Sequence, residues 1–208
     1  MTDQLPVAFA KEPQGAALDL LHIVRINEES KAVVAVAFKI NIMALNAIFL
    51  AKRAGTAALG FGVLSNELRS FSSQLRETML SLDGLIHSSV EEVSVLLQDS
   101  RYNGVLGSAL ALVPANGRLR AVLAHRERRS ETYRGKLAAS KRALRSSVDD
   151  AYRLVELGGV LAKSAKIEAA YGAGFSASLA QVSGEFDGVV EEIRGSLDIL
   201  RKSSFFKG

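Results

Sequence analysis

Residues 40–69 read I-N-I-M-A-L-N-A-I-F-L-A-K-R-A-G-T-A-A-L-G-F-G-V-L-S-N-E-L-R. Small side chains at Ala44, Ala47, Ala51 and Ala54, followed by Gly55, let two helices approach closely. Gly55 and Gly60 supply the positive φ that a tight turn between helices uses. Phe61 follows at once and fills the space beneath such a turn. Arg53 and Glu67 are spaced to pair across the hairpin, a contact worth only about 0–1 kcal/mol if exposed. Asn46 is polar within an apolar run. It either fixes register, as a seam asparagine does in coiled coils, or caps a local backbone group. The stretch therefore reads as the tip of a helical hairpin.

Working outward, the first helix is predicted from about Ala16 to Ala54. Asp19, Glu28 and Glu29 lie in its early part and Lys52 and Arg53 in its last turn, as the helix dipole favours. After a break over 55–60, a second helix is expected from Phe61 to Ser100. Phe61, Leu64, Leu68, Phe71, Leu75, Leu82 and Leu85 alternate at spacings of three and four, with Thr78 in one seam position. That is a heptad seam. The stripe then moves to Ile86, Val90, Val93 and Leu97, as a helix relaxing toward 3.6 residues per turn requires.

Asn103-Gly104, Gly107, Pro114 and Asn116-Gly117 punctuate residues 101–117, which are predicted to be the main connection. A third helix over 118–171 carries Leu137, Leu144, Val148, Ala151, Val155 and Leu161, with a kink or break expected at Gly158-Gly159. Gly172-Ala173-Gly174 marks a second short break. A fourth helix carries Phe175, Leu179, Val182, Phe186, Val189, Ile193, Leu197 and Leu200. The tail S-S-F-F-K-G is expected to fray, unless Phe205 and Phe206 dock.

The organisation is thus a loose arm (1–15, with Pro6, Pro13 and Gly15), a hairpin (16–100), a connecting loop (101–117) and a second hairpin (118–208). The fold class is all-α: two antiparallel helical hairpins forming a four-helix bundle or an elongated coiled coil. The hairpins echo each other. L-A-K-R-A precedes Gly60-Phe61, and L-A-K-S-A precedes Gly174-Phe175. Chance similarity between two alanine-rich helices competes with a true repeat.

The absence of cysteine excludes a disulfide framework and a thiolate zinc site. His22, His87 and His125 have no partner at metal-ligand spacing. No G-x-x-x-x-G-K-S/T or H-E-x-x-H occurs, and Gly60-Phe61-Gly62 follows a helix rather than a strand. These readings predict no enzyme, no cofactor and no metal. The block from Arg118 to Arg145 is strongly basic, but its cations spread over more than one face, and aromatic stacking groups on the third helix are limited to Tyr133 and Tyr152. A solvated face is favoured over nucleic acid.

Residues 32–51 have the length of a membrane span. Lys39, Asn41 and Asn46 interrupt them, and a central lysine alone costs about 2.5–3.5 kcal/mol on insertion. A buried core helix is therefore favoured over a membrane-inserting one. The N-terminus lacks a basic region followed by an apolar run, which points to a cytoplasmic protein.

Residues 40–69 resemble the tip of the signalling domain of methyl-accepting chemotaxis proteins, whose usual pattern is L-L-A-L-N-A-x-x-E-A-A-R-A-G-E-x-G-x-G-F-x-V-V-A-x-E-V-R. Ala44, Leu45, Asn46, Ala47, Ala51, Arg53, Ala54, Gly55, Gly60, Phe61, Val63, Glu67 and Arg69 match in order. Weaker similarity extends over 30–85. The resemblance implies a helical hairpin whose tip packs with receptors and docks a histidine kinase and its coupling protein. Carried onto this chain, the interaction tip is Asn46, Leu50, Arg53, Gly55, Thr56, Leu59, Phe61, Glu67 and Arg69. Leu50 and Thr56 stand where the family has glutamates, and Leu59 where it has a basic residue. The surface is correspondingly more apolar. The family's long adaptation helices with repeated Glu/Gln pairs are missing. Glu91-Glu92 and Glu191-Glu192 read as solvated helix faces rather than modification sites.

The expected function is a non-enzymatic chemoreceptor-like module acting by protein–protein contact in a bacterial chemotaxis-type pathway. Its partners would be receptor, coupling protein or histidine kinase, or a second copy of the chain. The alternative is a structural or small-ligand-sensing bundle without kinase control.

Overall fold

A computed structural model describes residues 15–207. The predicted loose arm, apart from Gly15, lies outside the described residues. Four long helices make up the described part: α1 (Ala16–Ala54), α2 (Leu59–Leu112), α3 (Gly117–Ala169) and α4 (Ser176–Arg201). No strand occurs among the described residues. Short 3-10 turns at Gly55–Ala58 and Ala173–Phe175 close the two hairpins, and a third, Ser204–Lys207, follows α4. Each helix packs on the next, and α4 returns to α1, so the helices form a closed antiparallel ring.

The heptad positions build the core. Small residues line the incoming helices near the two turns: Ala44, Ala47 and Ala51 on α1, and Ala162, Ala165 and Ala169 on α3. Large residues on the outgoing helices fill the space between them: Phe61, Leu68 and Phe71 on α2, and Leu179 and Phe186 on α4. Each such side chain stabilises by roughly 1.5–3 kcal/mol when fully buried. Ser72 Oγ–H donates to the Ala37 carbonyl across the α1–α2 interface at 2.6 Å. That bond satisfies a buried hydroxyl that would otherwise cost stability.

Gly55 ends α1 as the pattern requires. Its φ is 68° and ψ −141°, a conformation side chains oppose, and its N–H donates to the carbonyls of Ala51 and Lys52.

Three expectations are corrected. The connection predicted over 101–117 is mostly helix: α2 runs to Leu112, and only residues 113–116 link it to α3. Gly104 and Gly107 each cost about 1 kcal/mol in a helix, but α2 is continuous through them and packs on α3. Asp99 is fully buried there, with Arg126 Nη2 at 2.8 Å and Arg129 Nε at 3.6 Å from its carboxylate. Asn116 caps α3 by accepting a hydrogen bond from the Leu119 N–H at 3.1 Å.

The break expected at Gly158-Gly159 is also absent, since α3 is continuous there. Gly158 instead makes room for the Phe71 ring. The tail does not fray before residue 207. Phe205 is buried, lies edge-on to His22 with ring centroids 6.3 Å apart, and has Lys141 Nζ 4.5 Å from its ring centre.

Candidate interaction surface on the first hairpin

Both turns lie at the same end of the ring, so the second hairpin covers one side of the first. At Gly60 a Cβ would collide with the Glu168 carboxylate. Gly60 is helical and does not take the positive φ expected of it; its missing side chain instead lets α2 and the end of α3 come this close.

The predicted tip residues divide in two. Phe61 is fully buried and structural. Leu50 is half-buried and packs against the core. Gly55 and Thr56 are exposed at the turn, and Leu59 is 66% exposed. Asn46 faces out of the bundle, so it does not sit in the seam. Arg53 and Glu67 are both exposed and form no ion pair with each other among the described residues. Arg69 instead reaches across the hairpin, where its Nε–H donates to Asn41 Oδ1 at 3.3 Å.

Sequence reasoning missed the larger feature. Phe38, Ile42 and Phe49 are exposed on α1, at 56%, 43% and 63%. With half-buried Leu45 they recur at spacings of four, three and four, a second heptad stripe. It is offset by two residues from the buried stripe of Ile40, Ala44, Ala47 and Ala51, and so lies on the opposite side of the helix. Val63 and Leu59 on α2 are exposed near its tip end. The signal was present in the sequence. A helix apolar all round is buried on every side or meets something on its free face, and 32–51 reads that way. One helical run among the described residues is long and apolar enough to cross a membrane by length and composition, and a third of its most apolar window is buried in the bundle.

No group of histidine and acidic residues able to hold a metal ion occurs among the described residues. At the far end of the bundle, where α1 starts and α4 has ended, a groove of about 840 Å³ opens. Leu96, Leu97, Leu137 and Phe206 line it, with Arg134 and Arg142 among its polar residues.

The chain is 41% identical over 58 residues to methyl-accepting chemotaxis protein IV of Escherichia coli (strain K12). That likeness covers 28% of this chain and 11% of the other protein's length. No family model matches the chain, and no solved structure matches it. The likeness supports a chemoreceptor-like region within an all-helical bundle.

Proposed function

We propose, taking that chemoreceptor-like region as the premise, that the chain is a non-enzymatic cytoplasmic module that works by protein–protein contact in a bacterial chemotaxis-type pathway. The contact surface is the outward face of the first hairpin: Phe38, Ile42, Leu45 and Phe49 on α1, with Arg53 beyond them and Leu59 and Val63 on α2. The observation that carries the reading is that this stripe takes no part in the chain's own core. Two exposed phenylalanines and an isoleucine in heptad register form a seam for another helix, the mode in which an apolar helix face lies in a partner's groove. Candidate partners are a receptor signalling domain, the coupling protein or the histidine kinase.

The purified chain is mixed with each of these, and association and kinase activity are followed. Association that is lost in F38S/F49S supports the proposal. The absence of association with all of them overturns it.

The groove at the far end favours a second reading, a bundle that senses a small amphipathic ligand. An increase in melting temperature in a screen of organic anions, abolished by L97E, would support it.

A further inference from the structure

Past the ends of α1 and α4, α2 and α3 continue as a two-helix arm about 20 Å long, at a rise of about 1.5 Å per residue. Residues 102–117 at its apex contain no charged side chain. Val105, Leu112 and Val113 are exposed, Leu112 at 84%. Between residues 104 and 115 the only side chain able to hydrogen-bond is Ser108, and its Oγ–H donates to the Gly104 carbonyl within α2 at 3.0 Å. The tip over 104–115 therefore offers apolar surface, with Tyr102, Asn103 and Asn116 as polar side chains at its margins.

Behind it stands a collar of cations. Arg101, Arg118, Arg120, Arg126, Arg128 and Arg129 lie between residues 99 and 129, against Asp99 and Glu127. Asp99 is buried and engaged by Arg126 and Arg129. Arg120 Nη2 donates to the Pro114 carbonyl at 2.7 Å and holds the turn. Arg101, Arg118 and Arg128 are exposed and form no ion pair among the described residues.

We infer that this apex docks on an anionic lipid surface. Leu112, Val113 and Val105 enter the boundary between headgroups and acyl chains, and the arginine collar meets the lipid phosphates. Insertion of this kind reaches about 5–10 Å, a depth the arm supplies without moving the bundle. Clustered cations beside an apolar surface are what such a membrane attracts. Nucleic acid fits less well, because aliphatic side chains offer nothing to stack on and Arg126 already covers the Tyr102 ring, 4.6 Å from its centre. A protein partner fits less well because residues 104–115 carry no free hydrogen-bonding side chain to specify one. The expectation against a membrane rested on 32–51 as a span; this arm lies on the surface instead. The inference is independent of the α1 stripe.

The test is co-sedimentation of the full chain with phosphatidylcholine vesicles, with and without phosphatidylserine. The wild type is expected to sediment with the anionic vesicles and to be released by salt. L112E/V113E is expected to bind at least about tenfold more weakly, since it removes buried apolar area and adds like charge. R118A/R128A is expected to lose several-fold and most of the salt dependence, with an unchanged circular-dichroism melt. Failure to sediment, equal binding to neutral vesicles, or binding undiminished in both variants overturns the proposal. So does binding to nucleic acid or to a protein that L112E/V113E abolishes, without any binding to vesicles.

Discussion

The Phe71 ring occupies the place where a side chain at residue 158 would begin: a Cβ built on Gly158 would stand 2.6 Å from Phe71 Cζ. Helix propensity alone favours alanine over glycine by about 1 kcal/mol. Overpacking a filled core costs about 1–3 kcal/mol. Because the obstruction is a buried ring held on all sides, G158A is expected to destabilise the chain by about 1–2 kcal/mol in urea titration. G159A meets the flexible end of Arg194, 3.4 Å away, and Val190 Cγ1 at an ordinary 3.9 Å, and is expected to be neutral or slightly stabilising. A double-mutant cycle with F71L should recover much of the loss at residue 158.

The buried and exposed phenylalanines of the first hairpin should separate cleanly. F61A removes a fully buried ring and is expected to cost about 3–5 kcal/mol. F38S and F49S change side chains more than half exposed and are expected to stay within about 0.5 kcal/mol of the parent. Chemical denaturation measures all three. A loss of several kcal/mol in F49S would mean that the stripe belongs to the core after all.

Asp99 links the two helices of the arm. Removing Arg126 leaves a buried carboxylate with only the longer contacts to Arg129 and to the Ser130 hydroxyl, which donates at 3.4 Å, a defect of about 3–5 kcal/mol where a buried pair is broken. In R126A the amides of 99–130 are expected to exchange with solvent much faster, while those around Leu68, Val155 and Phe186 keep their protection. Hydrogen exchange read by mass spectrometry distinguishes this local opening from a uniform loss.

Gly55 is expected to resist substitution for a backbone reason. Its φ of 68° with ψ of −141° is strained for any residue with a Cβ, although no atom lies near enough to clash. G55A should cost about 1–3 kcal/mol and widen the turn. T56A, one residue on and exposed, should cost under about 0.5 kcal/mol.

Periodicity made the bundle legible. Most of the residues assigned to the stripes of α2, α3 and α4 are buried where the three-and-four spacing places them, and Gly55 and Gly172 mark the turns. Punctuation misled in two places. Asn103-Gly104 and Gly158-Gly159 look like breaks along one strand of sequence, but what holds the helix there lies on another helix: α3 beside residue 104, and Phe71 beside residue 158. No local rule contains those neighbours. The outward stripe was missed for a different reason. Residues 32–51 are apolar enough for a buried helix as a whole, and that reading does not separate Phe38, Ile42 and Phe49, which are exposed, from Ile40, Ala44 and Ala47, which are buried.

The ring of four helices also sets how the molecule responds to dilution. α1 and α2 meet their packing partners, α3 and α4, through a link of only four residues, 113–116. The first hairpin therefore always has the second at hand, at an effective concentration that dilution cannot lower. Closure of this core is a unimolecular event, and its melting temperature should be the same at any protein concentration. The helix faces left outside the ring are then free to answer to the abundance of something else.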